Sequence, residues 1–230
     1  MSNFLLTVRE SGTPALERGY LHCISAREKM GKTTLAAIFA AATIHARKTP
    51  FVAETEPSAK VLMISVNGEV SPAGHITPVV EAACVPNPDN IHTVSYTSNS
   101  ESFYAHLIKE VDEYAKTYDL IIIDGIDDVI STVHSRNYYN AACIIIDTLR
   151  LIARDNNIAI IVTYTNNHDD IKNDGLLGEE LYLLCVEQYL IKRRADKFKV
   201  IQTSMHTDVD HKYDFMPPFT FTYNDNTISL

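Results

Sequence analysis

Short apolar runs alternate along the chain with longer stretches of helical spacing, and turn residues punctuate the two. "YLHCIS" predicts a short strand, and residues 33 to about 47, rich in alanine, predict a helix. A polar connector with Pro50 and Pro57 leads to "KVLMISV", an uninterrupted apolar run that predicts a strand buried on both faces. "HTVSY" predicts a weaker strand. Ser98 and Glu101 have capping-box spacing and predict a helix running to about Lys116.

"YDLIIIDG" is the clearest strand, a β-branched run closed by an acid and a glycine. Residues 137 to about 155 predict a long helix, "IAIIVTY" another buried strand, and "TNNHDDIKNDG" a mobile loop. Strand-like alternation returns in "VEQYLIKR", "FKVIQTS" and "FTFTYN". Strands separated by helices and followed by hairpins predict an α/β fold. Its central sheet is mostly parallel, flanked by helices and extended by C-terminal antiparallel strands.

A length of 230 residues with 46% hydrophobic positions fits one folded domain over residues 1–230 and excludes a disordered chain. The net charge of -9 excludes a broad basic surface, so contact with DNA or RNA needs a local patch or several subunits together. Four widely spaced cysteines, Cys23, Cys84, Cys143 and Cys185, form no zinc or redox motif and read as buried thiols of a reducing compartment. No basic start precedes a long apolar segment, and "LAAIFAAATI" is too short to span a bilayer. These features predict a cytoplasmic protein without a membrane partner.

The chemistry concentrates in "SAREKMGKTT", between the first predicted strand and helix. It follows the phosphate-loop pattern G-x-x-x-x-G-K-[ST], with Ala26 at the first glycine position. In such a loop the backbone N–H groups surround phosphate, a lysine reaches the β and γ phosphates, and a hydroxyl ligates Mg²⁺. The predicted ATP-binding residues are Ala26, Arg27, Glu28, Lys29, Met30, Gly31, Lys32, Thr33 and Thr34. If the chain turned at Ala26 with positive φ, alanine would cost on the order of 1 kcal/mol relative to glycine.

Asp124 closes "LIIIDG" at a strand end, where an open α/β sheet presents its ligand crevice, and joins Thr33 as a predicted Mg²⁺ partner. As part of a "DG" dipeptide it also suits a turn. Asp127 and Asp128 are alternative metal partners or, lying past the strand, solvated acids. The water-activating residue belongs at the end of "KVLMISV", where Glu69 serves as general base if the loop turns it inward. Thr165, Asn166 and Asn167 close "IAIIVTY", placed to sense a γ-phosphate or to act as ordinary loop residues.

The order of "GYLHCISAREKMGKTTL", "KVLMISVNGE", "YDLIIIDGIDDVI", "IAIIVTYTNN" and "GLLGEELYLLCVEQYLIKR" resembles the RecA-like P-loop ATPases of the RepA type, closest to ATPases carried by mobile elements of Bacteroidetes. The resemblance runs from about Gly19 to Tyr223. It implies ATP and Mg²⁺ held between subunits of a ring or filament, coupled to plasmid or mobile-element replication or mobilisation. By position, Lys32 and Thr33 hold phosphate and metal, and Asp124 is the Walker B acid. Asn67 stands where the family has its catalytic glutamate, and only a shifted loop gives that role to Glu69. Asn166 replaces a γ-phosphate-sensing glutamine. Arg193, Arg194, His206 and Lys212 are alternatives for a basic residue reaching a neighbour's phosphate.

"IKRRADKFK" gathers Lys192, Arg193, Arg194, Lys197 and Lys199, a strip suited to an arginine finger or nucleic acid, or to a solvated hairpin turn. His206 and His211 lack metal-ligand spacing, and Tyr138, Tyr139, Phe219 and Phe221 read as packing residues. Two functions follow: a homo-oligomeric ATPase acting on DNA, or a catalytically weakened nucleotide-binding protein in which ATP controls assembly.

Overall fold

The computed structural model describes residues 3–67, 72–98, 102–131, 133, 138–166, 175–205, 216–224 and 227–229. The chain opens with β1 (Phe4–Val8) and β2 (Pro14–Glu17), then β3 (Leu21–Ala26) and α1 (Lys32–Thr43). β4 (Phe51–Ala53) returns to β1, so β2, β1 and β4 form a small antiparallel sheet. Next come β5 (Val61–Val66), α2 (Pro72–Ala83), β6 (Ile91–Tyr96), α3 (Phe103–Tyr114), β7 (Leu120–Asp124), α4 (Ile126–Ser131), α5 (Tyr138–Asn156), β8 (Ala159–Thr165) and α6 (Gly175–Leu184). The strands β9 (Glu187–Arg194), β10 (Lys197–Met205), β11 (Phe219–Asn224) and β12 (Thr227–Ser229) complete the chain.

The main sheet has the order β12-β11-β10-β9-β3-β8-β7-β5-β6. The strands from β9 to β6 run parallel, and β10, β11 and β12 extend the sheet in antiparallel fashion. Successive strand side chains point to opposite faces, and this period divides the core in two. Leu120 and Ile122 of β7 pack with α1, α2 and the small sheet, while Ile121 and Ile123 pack with α3, α4, α5 and α6. Every residue of β5 is buried, as a parallel strand covered on both faces requires. β6 closes one edge and is largely exposed, which accounts for its weak apolar pattern.

Helix α1 is buried continuously from Leu35 to Thr43, so its alanines serve close packing beneath the sheet. Beyond it, His45 adopts φ 65°, which ends the helical path. The Phe39 ring lies 5.0 Å from both Phe51 and Tyr189, joining α1, the small sheet and β9. The Tyr189 hydroxyl has Glu187 Oε2 at 2.8 Å and the Ala15 carbonyl as acceptors that share its one proton. His22 Nδ1 lies 2.9 Å from the same Glu187 oxygen without hydrogen-bond alignment, and all three side chains are buried.

Several elements depart from the sequence expectation. The small sheet escaped it because β1, β2 and β4 are short and their pairing is non-local. α2 was hidden by its own Pro78 and Gly74, residues that usually mark loops. Ser98 does not cap α3, which begins at Phe103 after Ser102 with no side-chain cap. Instead Ser98 pairs with Asn67. Glu69, Asn167, His206 and Lys212, together with Glu101 and most of "TNNHDDIKNDG", lie outside the described residues. Cys23 and Cys185 are buried as expected, whereas Cys143 is half-buried and Cys84 exposed. No described helix is long and apolar enough to cross a membrane.

Replacing Tyr189 by phenylalanine removes the donor to a buried carboxylate and to the Ala15 carbonyl. Chemical denaturation is expected to show a loss of about 1–3 kcal/mol, and a cost below a few tenths would mean that this link does not hold the small sheet.

Candidate functional site at the carboxyl ends of the parallel strands

β3, β5, β7 and β8 all finish at the same side of the sheet, and strand register brings their last residues together. Ala26 is opposite Thr165, and Asp124 is opposite Ser65. The α1 crossover leaves β3 and feeds toward β5, with β8 and β7 filling the interval, and such a break in strand order opens a crevice beyond the strand ends.

The phosphate loop turns on two left-handed residues, Lys29 at φ 58° and Gly31 at φ 84°. Ala26 has no positive φ; it is the last residue of β3 and is buried in the core, so alanine there carries no conformational penalty. The cost considered from sequence does not arise. Gly31 has a second reason to lack a side chain. A Cβ there would meet Phe198 Cδ1 at 3.1 Å and Phe221 Cζ at 3.2 Å, members of a stacked pair with ring centroids 5.0 Å apart. Phe221 packs as expected, and its support of the loop comes from a contact distant along the chain.

Gly31 caps α1 without a side-chain acceptor, so the first-turn N–H groups, including those of Lys32, Thr33 and Thr34, stay available to an anion. Lys32 Nζ donates to the carbonyls of Ala26 and Arg27, each at 3.3 Å. Burial lowers the Lys32 pKa, and the charges of Asp127, Asp124, Glu28 and Asp128, in that order, oppose the shift. Arg27, Glu28 and Lys29 are exposed along the loop, and Met30 packs partly against the core.

Asp124 is held at both oxygens. Thr33 Oγ1 donates to Oδ2 at 2.7 Å, Thr163 Oγ1 donates to Oδ1 at 2.6 Å, and the Gly125 N–H donates to Thr163 Oγ1 at 2.9 Å. Because the Thr33 proton is directed at Asp124, the hydroxyl lone pairs remain for a cation. A hydroxyl beside a carboxylate is the hard-oxygen donor set that Mg²⁺ takes with phosphate. These residues fit the metal. Thr163 was missed by sequence reading, since its place beside Asp124 comes from β8 lying next to β7.

A cavity of about 160 Å³ adjoins this pair, lined by Lys32, Asn67, Asp124, Asp127, Asp128 and Thr165 among others. Whole small-molecule sites run to about 300–1,000 Å³, so this one suits a terminal phosphate and a metal with the remaining ligand lying across the loop. Asp127 and Asp128 therefore do not sit in solvent. They occupy the first turn of α4, an element concealed in the sequence by the turn-like "DG" before it. Burial raises both pKa values. For Asp127 the nearby Asp128 charge raises it further, while Lys32 and a Thr165 hydrogen bond pull it down; for Asp128 an Asn67 hydrogen bond pulls it down.

Asn67 adopts φ 52°, donates from Nδ2 to Ser98 Oγ, and accepts the Ser98 N–H at 2.9 Å on Oδ1. Asn166 turns away from the 160 Å³ cavity, where Thr165 stands instead. It lines a second hollow of about 270 Å³ with Arg27, Met30, Lys192 and Arg193. There Asn166 is 1% exposed, and its Nδ2 has no hydrogen-bond partner. Arg193 lies 5.1 Å above the Phe198 ring and donates to the Ala195 carbonyl at 2.8 Å, so its own hairpin holds it. Two hollows of about 560 Å³ elsewhere, one around Tyr20 and Arg154 and one around Phe51 and Met216, contain none of the loop or strand-end residues.

The family model of an AAA domain matches residues 8–169, more than half of the chain, from the end of β1 through the loop to β8. The chain belongs to the AAA domain family. This is a P-loop ATPase family, and membership implies nucleotide binding, usually with Mg²⁺. No curated protein matches the chain closely enough to count as a relative. The AAA domain match stops before β9, so the antiparallel extension that touches Gly31 lies beyond it.

The raised Asp127 pKa has a stability consequence. The folded protein holds this proton more tightly than the unfolded chain, whose carboxyl titrates near 3.8, so the carboxylate detracts from stability once pH rises through the folded-state value. Asp127→Asn is expected to raise the melting temperature of the nucleotide-free protein at pH 7, and the gain should vanish below about pH 4. Equal or lower stability at pH 7 would contradict the burial of this charge.

Proposed function

We propose that the protein is a RecA/RepA-like ATPase that couples Mg²⁺-ATP binding and slow hydrolysis to a DNA transaction of a mobile element or plasmid. The observation that carries the reading is the Thr33–Asp124–Thr163 hydrogen-bond chain beneath an uncapped α1 N-terminus and Lys32. It supplies N–H donors and an ammonium for the phosphates and two hard oxygens for a metal in one place. When bound, Mg²⁺ would be held by Thr33, with Asp124 behind it, and would neutralise charge on the terminal phosphates. Lys32 exchanges its carbonyl acceptors for phosphate oxygens as the nucleotide enters.

Assembly and DNA contact are inferred from the resemblance to RepA-type ATPases and from the basic β9–β10 hairpin. Lys192, Arg193 and Arg194 are exposed at its end in a chain of net charge -9. A local cationic strip in an acidic protein is what contact between subunits or with a phosphate backbone calls for. A second reading, a nucleotide-gated switch that hardly hydrolyses, is favoured by one observation. Asn67 stands where the resemblance expects a catalytic glutamate, and both its amide atoms are engaged by Ser98.

Wild-type protein is expected to bind Mg²⁺-ATP and Lys32→Ala to lose about 100-fold or more in affinity, read by calorimetry. Turnover measured with and without single-stranded and duplex DNA separates the two readings: stimulation by DNA supports the motor, and binding with no turnover supports the switch. Wild-type protein that binds no nucleotide would overturn both.

A further inference from the structure

We propose that the solvent face of the antiparallel extension, built by β9, β10 and β11, is a docking surface for the phosphate backbone of DNA. The proposal rests on the DNA reading above and gives that contact a place, the side of these strands turned away from Gly31.

Strand register sorts the basic residues of the hairpin. Arg193 lies opposite Phe198, and Phe198 opposite Phe221, so these three share the face that packs toward α1 and the phosphate loop. Side chains alternate along a strand, and the neighbours of this row therefore point the other way. On that second face Lys192 is paired with Lys199 and Arg194 with Lys197, and β11 continues the two rows with Thr220 and Thr222. All four cations are exposed. Along each strand the two cations are separated by two residues, about 6.6 Å. The result is a block of four positive charges flanked by two hydroxyls, with no carboxylate at any of the six positions. Asp196, the acid nearest in sequence, sits in the turn between β9 and β10.

Such a block is unfavourable for the chain alone, because like charges directly opposite each other in an antiparallel pair repel. Acids are plentiful in a chain of net charge -9, yet none of the four cations has an ion pair among the described residues. Nor do the lysines guard a sheet edge, since β9 lies between β3 and β10, and β10 between β9 and β11. A ligand with negative charges at short, regular intervals relieves the repulsion at all four positions together, and a phosphate backbone is such a ligand. Lysine, arginine and threonine are among the side chains that hold phosphate oxygens. Base stacking has no part in the contact, because Phe198 and Phe221 are buried on the opposite face. The surface therefore engages the backbone whatever the sequence.

The test uses the full chain, titrated with labelled oligo(dT), oligo(dA) and duplex DNA over a range of salt, beside calorimetry with Mg²⁺-ATP. The two single strands should bind within about threefold of each other. Four phosphate contacts give log K against log salt a slope at least as steep as about -3 on a single strand or -3.6 on a duplex. The double variant Lys192→Gln, Lys199→Gln should make that slope shallower by about 1.4 or 1.8 respectively. Lys192→Glu sets opposite charges across the pair with Lys199, so it should raise the melting temperature of the free protein while weakening DNA binding about tenfold or more. A merely structural role for Lys192 would not produce that combination. Both variants should bind Mg²⁺-ATP as the wild type does. The surface is overturned, with the DNA reading left standing, if wild-type protein binds DNA and the double variant binds it with the same affinity and salt slope. Changed sedimentation of the DNA-free variants would make the face a contact between copies of the chain and overturn the surface as well. Wild-type protein that binds neither single-stranded nor duplex DNA would strike both the surface and the DNA reading.

Discussion

The site depends on one carboxylate being held from two directions. Asp124 accepts from Thr33 at the start of α1 and from Thr163 on β8, and so ties the phosphate loop to a strand that is not its neighbour. Hydrogen bonds to a charged acceptor are the stronger kind, and two of them fix both oxygens. The loop, β7 and β8 thus share one reference point. A metal arriving there meets oxygens already oriented, with little ordering left to be done on binding.

That arrangement requires the parallel sheet. Only with β8 between β3 and β7 does a threonine side chain stand beside both the loop and the acid, and only strands buried on both faces keep their ends in register. The two core clusters provide the rigidity, and the crevice at the strand ends provides the opening. The half-buried acids on α4 work against stability in the same place, a conflict that functional sites commonly retain.

The parts legible in the sequence were those encoded locally. The loop is a contiguous motif, Asp124 ends an unmistakable apolar run, and the hairpin tail shows its alternation. What stayed hidden depends on partners distant along the chain. Thr163 looks like any strand threonine until β8 is placed next to β7. Asp127 looks solvated because "DG" reads as a turn, although Gly125 at φ 98° leads directly into α4. Ala26 looked like a flaw because the motif was judged by residue type; its backbone shows that the chain turns later, at Lys29 and Gly31. Asn166 has the expected place in sequence but lines the neighbouring hollow, one residue past the end of β8, which spacing alone did not settle.

The stacked Phe198 and Phe221 beneath Gly31 have a consequence for biosynthesis. The loop is translated well before the ring that supports it, which belongs to β11. During translation the loop therefore lacks its floor until β10 and β11 have left the ribosome and paired. A nascent chain or a product truncated before β11 carries the complete phosphate-loop motif without the surface that shapes it. The shape of the loop therefore waits on a strand made long after it.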